Sequence, residues 1–175
     1  MELVTGLLLS VFPALMITAA LSDVTSMTIP NRISAALILV FFPTAWMVGL
    51  PMPVVLSCLG VGVAGLVIGM VMFALRWIGG GDAKLMAAAA LWLGVSGAPA
   101  FLMWTAVAGG VFAVSLMMVR SAAQTVILPY VADAPRWVGR LLEPKGAIPY
   151  GVAIAAGGLV AFLESPLLKA FSGLF

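Results

Sequence analysis

The chain has 175 residues and a formal net charge of +2; 64% of the residues are hydrophobic, only 8% are charged, and the mean hydropathy is +1.25. Soluble domains run at about a quarter charged residues, so the composition excludes one and indicates an all-α, polytopic membrane bundle. With no histidine and a single cysteine, Cys58, inside an apolar run, there is no basis for an internal disulfide, a thiolate metal cluster, a Ser-His or Cys-His dyad or an HExxH zinc site, and no metal or cofactor is expected.

At roughly 20 residues per span the length allows about six transmembrane helices, making one membrane-embedded domain over the whole chain. The first predicted span covers residues 3–22. Thr18-Ala19-Ala20 loosely resembles a cleavage site, but Met1-Glu2 brings no positive charge before the apolar run, so the segment reads as a retained helix. Asp23 closes it, ahead of Ile29-Pro30-Asn31. A second span, 33–50, ends at Leu50-Pro51-Met52-Pro53, because proline interrupts a helix. The third, 54–76, contains Gly60, Gly62, Gly65 and Gly69, a pattern suited to close helix packing. Gly79-Gly80-Gly81-Asp82 then opens a short fourth span, 83–95, which Gly94-Val95-Ser96-Gly97-Ala98-Pro99 separates from a fifth, 99–119. Residues 121–147 form the one long loop, in which Arg136 and Arg140 lie on one face and Trp137 and Leu141 on another of a short interfacial helix. Pro149-Tyr150-Gly151 opens the sixth span, 148–164. Pro13 and Pro43 are expected to kink spans one and two.

Arg32, Arg76, Lys84, Arg120, Arg136, Arg140 and Lys145 fall in the loops after odd-numbered spans, against Lys169 alone on the other side. By the positive-inside rule the charged loops face the cytoplasm and both termini face outside. The basic residues therefore report topology, and no nucleic-acid partner is expected. Asp23 and Asp82 fall on the same cytoplasmic side.

Acids near bilayer depth are costly and tend to mark function. Of Glu2, Asp23, Asp82, Asp133, Glu143 and Glu164, only Asp23 and Asp82 stand at helix ends on that face. Two facing carboxylates can share one proton, since close like charges do not both ionise cheaply; the ionised member takes a proton from water while the protonated member polarises a scissile carbonyl. Glycines beside Asp82 would let an extended peptide approach the backbone. The plainer alternatives stay open: Asp82 as a helix cap, Asp23 as an interfacial turn residue, Lys84 as a topology signal or a counter-charge, and Tyr150 as an interfacial anchor. So do a proton- or cation-coupled transporter or channel using the same acids, and a noncatalytic subunit of a secretion system.

Asp23 with Ile29-Pro30-Asn31, then Gly79-Gly80-Gly81-Asp82-Ala83-Lys84-Leu85, then Ile148-Pro149-Tyr150-Gly151 resemble, in order, the motifs of type IV prepilin peptidases, the GxGD class of membrane aspartyl proteases. The resemblance implies that Asp23 and Asp82 are the catalytic pair, that Gly79, Gly80, Gly81, Lys84, Pro149, Tyr150 and Gly151 bind substrate or shape the site, and that the partner is a prepilin or pseudopilin cut at the cytoplasmic face of the bacterial inner membrane. The cytoplasmic segment with paired cysteines of longer members is missing, so the chain resembles the short form of Flp or tight-adherence pilus systems, and no N-methyltransferase activity is expected. The oligomeric state is open, a homo-oligomer included.

Overall fold

A computed structural model describes residues 1–123, 135–144 and 146–173. Every regular element in it is helical. Helix α1 (Glu2–Ser26) runs through the first charge-free stretch and one turn beyond the expected end, so that Asp23 lies inside its last turn. It stops where Met27 takes a left-handed conformation (φ 54°) and donates its N–H to the Asp23 carbonyl at 2.8 Å. Pro30 caps α2 (Asn31–Met47), and Pro51 caps α3 (Met52–Ala74), as the proline cluster there requires. Pro13 and Pro43 lie inside α1 and α2.

Helix α4 (Gly80–Ala122) differs from the expected pair of helices in one respect. The interruption awaited over residues 94–99 is confined to Gly94, whose φ of 57° and ψ of −167° are nearly exclusive to glycine, and the helix resumes through Pro99. Both limbs run from Gly94 toward the same end of the bundle. The first leads back to Asp82. The second passes α6 (Gly151–Ala161) in antiparallel fashion, Gly97 opposite Ala161, Thr105 opposite Gly157 and Gly109 opposite Ala153, and ends with Arg120 against Gly146 and Ala147. A short helix α5 (Arg136–Leu141) forms at the spacing that suggested it; residues 124–134 and 145 of the long loop, Asp133 and Lys145 among them, lie outside the described residues. After α6 come a 3-10 turn (Phe162–Glu164) and α7 (Pro166–Phe171).

The first limb of α4 is the axis of the bundle. Every residue from Leu85 to Gly94 is buried, as befits a helix apolar on all sides. Apolar association adds little between helices in lipid, so close contact between small residues has to hold the bundle. Cβ atoms added at Gly62, Gly65 and Gly69 of α3 would come within 3.0–3.1 Å of Leu91, Ala90 and Ala83, whereas Gly60 faces open space. Deeper in the bundle Trp92 is fully buried, its indole N–H donating to the Leu37 carbonyl at 2.8 Å, with Phe12 and Phe41 at ring distances of 5.4 and 6.1 Å. Helices α1, α3, α4 and the run Gly151–Phe171 are each long and apolar enough to cross a membrane; α2, of 17 residues, is apolar but shorter.

Candidate active site

The fold gathers the three motifs at the end of the bundle where α4 begins. Asp23 and Asp82 are both buried, at 5% and 8% exposure, and lie near enough for the charge of Asp23 to act on Asp82. Each is held by a glycine amide. The Gly151 N–H donates to Asp23 Oδ2 at 2.7 Å, joining the start of α6 to the end of α1. The Gly79 N–H donates to Asp82 Oδ2 at 2.9 Å, so Asp82 is not the cap residue itself but the third residue of the helix reaching back to the cap, as in a capping box.

Capping therefore accounts for one oxygen of Asp82. The other, Oδ1, is buried and has no hydrogen-bond partner among the described residues. Leaving a buried polar atom unpaired costs about 1–3 kcal/mol and more for a charged group, so a merely structural acid would be a poor choice here. An oxygen in this condition is ready to bind a water, a proton or a substrate group.

Ile29 is the piece that sequence reading left without a role. Its buried side chain fills the angle between the other two motifs: a Cβ on Gly81 would stand 3.1 Å from Ile29 Cβ, and one on Gly151 would stand 2.7 Å from Ile29 Cδ1 and 2.8 Å from Asp23 Oδ2. Only hydrogen fits at Gly151 without displacing the carboxylate. Gly80 is less constrained, facing Phe73 at 3.5 Å, and Gly79 lies at the exposed edge. The Lys84 ammonium donates to Asn31 Oδ1 at 2.8 Å, which makes it a tie between the second and first motifs and not a counter-ion bonded to Asp82. Pro149 is buried, and Tyr150, half-buried at the head of α6, lines an apolar groove of about 480 Å³ between α3, both limbs of α4 and α6. Ile78, next to Gly79, lines the same groove.

A sequence model of the type IV leader peptidase family matches residues 10–114, more than half of the chain, from within α1 to the second limb of α4. The chain belongs to the type IV leader peptidase family. Neither the curated proteins nor the solved structures include a match to it. Asp23, Ile29-Pro30-Asn31 and Gly79 to Lys84 fall inside the matched region, whereas Pro149-Tyr150-Gly151 falls outside it and is joined to the rest of this peptidase by the Gly151–Asp23 bond.

Proposed function

We propose that this peptidase is an aspartic endopeptidase that removes the basic leader from prepilins or pseudopilins, with Asp23 and Asp82 as a coupled pair. The observation carrying the proposal is the buried, unpartnered Oδ1 of Asp82 within electrostatic range of a second buried carboxylate. One carboxylate, ionised, takes a proton from water as the water oxygen adds to the scissile carbonyl carbon. The other, protonated, gives its hydrogen bond and then its proton to the carbonyl oxygen. Collapse of the resulting diol returns a hydroxyl proton to the ionised carboxylate and expels the amine, which leaves with the proton held by the other, so the pair ends as it began with one proton. Which acid holds the proton at rest belongs to the pair jointly. Gly79 and Gly151 fix one oxygen of each acid and leave the remaining oxygens for water and substrate. Ile78, Tyr150 and the groove beside them would shape the approach of the substrate.

In this reading the chain crosses the bacterial cytoplasmic membrane six times, α2 and the two limbs of α4 each counting as a crossing, with both termini outside and the acids at the cytoplasmic face. The seven-to-one bias of Lys and Arg supports that orientation. The substrate is of the Flp or tight-adherence kind, and no methyl transfer accompanies cleavage. The test is to express Asp23→Asn and Asp82→Asn singly beside a pilin precursor and follow its size. Loss of processing in both is the expected result. Wild-type processing in both would sink the aspartic reading, and acid-dependent ion flux without cleavage would favour a transporter.

A further inference from the structure

Among the described residues Arg120 is the one buried cation, 6% exposed at the end of the second limb of α4. It has no ion-pair partner among the described residues. Its guanidinium spends all three nitrogens on backbone carbonyls: Nε donates to Leu141 at 2.8 Å, Nη1 to Gly146 at 2.9 Å and Nη2 to Ala147 at 2.9 Å. A charge buried without a counter-charge weakens a fold unless its donors are well satisfied. Arginine suits this task because its planar fork presents donors in fixed directions, which lysine lacks.

Leu141 is the last residue of α5, and Gly146 and Ala147 lie in the connection from α5 to α6, just before Pro149-Tyr150-Gly151. Gly151 has no slack: the space that its Cβ would need is already taken by Ile29 and Asp23. Moving the segment inward causes a collision, and moving it outward lengthens the 2.7 Å bond to Asp23 Oδ2. A second strut ties α5 to the end of α1, where Arg140 Nη2 donates to the Thr25 carbonyl at 2.7 Å, two residues after Asp23.

We infer that Arg120 is a positioning residue: by clamping the last carbonyl of α5 and two carbonyls of the connection to α6 it sets the Gly151 amide, and through that amide the Asp23 carboxylate, in the working arrangement. The catalytic half of this inference rests on the peptidase reading above; the mechanical half does not. Arg120 touches neither acid, so it acts only through the backbone.

The experiment uses the full chain in lipid nanodiscs as wild type, Arg120→Met, Arg120→Lys and Asp23→Asn, and reads both amide hydrogen exchange and steady-state cleavage of a pilin precursor. In Arg120→Met, exchange at Gly151 should be about tenfold faster while peptides from α1 and α3 stay as protected as in wild type. Its kcat should fall by about 10- to 100-fold, as misplacement of a reacting group does, with KM changed by less than about threefold. Arg120→Lys should lie between the two, because one ammonium cannot serve three separated carbonyls. Wild-type protection at Gly151 together with lost turnover would overturn the inference, as would loosened Gly151 with wild-type kcat. If Arg120→Met does not fold, Arg120→Lys decides by the same pair of readings. A wild type as inactive as Asp23→Asn would instead remove the peptidase reading, and with it the catalytic half, while the exchange comparison still decides whether Arg120 holds Gly151.

Discussion

At Asp82 the two oxygens of one carboxylate can be separated by substitution. Asparagine keeps an acceptor for the Gly79 amide but loses the ionisable oxygen, so Asp82→Asn should leave the melting temperature in detergent nearly unchanged while cleavage falls by more than about a thousandfold. Asp82→Ala removes the cap as well and should lose about 1 kcal/mol of stability in addition. If Asp82→Asn retains cleavage, the unpartnered Oδ1 has no chemical role. Gly151 offers a complementary test. Alanine there collides with both Ile29 and Asp23, so Gly151→Ala should fold and yet turn over about 10- to 100-fold more slowly. Adding Ile29→Val removes the Cδ1 atom that is 2.7 Å away and should restore part of the rate, but not all, since the contact with Asp23 remains. Full activity in Gly151→Ala alone would show that the carboxylate tolerates displacement. The two acids could be picked out of the sequence because so few charges compete with them. Ile29 stood in the sequence only as part of Ile29-Pro30-Asn31, and its packing role was not legible, because an apolar residue in an apolar chain gives no such signal until its neighbours are known.

At the scale of elements, most helix ends follow from proline and glycine, and the ends that were legible are those where the backbone itself must change. Pro30 and Pro51 stand just before their helices in extended conformation, where proline's fixed φ is allowed and the missing N–H costs the helix no bond. The cluster from Gly94 to Pro99 was harder to place because it contains several residues able to break a helix, and only backbone geometry shows that Gly94 alone does so. Pro99 lies within the resumed limb as its fifth residue and costs it the one N–H bond that this position would otherwise give to the Val95 carbonyl. Arg120 was legible only as a charge at the end of a span; two of its carbonyl partners, Gly146 and Ala147, come from a stretch without any periodic pattern, and the third, Leu141, closes the short α5. The Gly94 bend should be sensitive to substitution. Alanine there would adopt a φ/ψ costing about 1–3 kcal/mol. Its Cβ would also stand 2.9 Å from Cys58 Sγ and 3.1 Å from Pro166 Cγ. Gly94→Ala is therefore expected to lower the thermal midpoint clearly, whereas Gly110→Ala, whose Cβ would meet nothing within 4 Å, should not. Equal midpoints would mean that the bend is not under this constraint.

For the whole molecule the decisive matter is which side of the membrane receives the acids, since a leader that stays in the cytoplasm can be cut only there. The lone cysteine, Cys58, is fully buried, so the natural chain offers a silent background for thiol labelling. Gly139 lies on α5 with open space where a side chain would go, and α5 is tied by Arg140 to the α1 turn that carries Asp23. Ser172 is exposed just after α7 at the other end of the chain. In intact cells a membrane-impermeant maleimide should label Ser172→Cys and leave Gly139→Cys untouched; after the cells are opened both should react. This is the pattern that the distribution of Lys and Arg dictates, because translocating a cationic loop against the membrane potential is unfavourable. The opposite pattern would put Asp23 and Asp82 on the outer face, where no cytoplasmic leader could reach them, and would defeat the prepilin reading even if both acids proved essential.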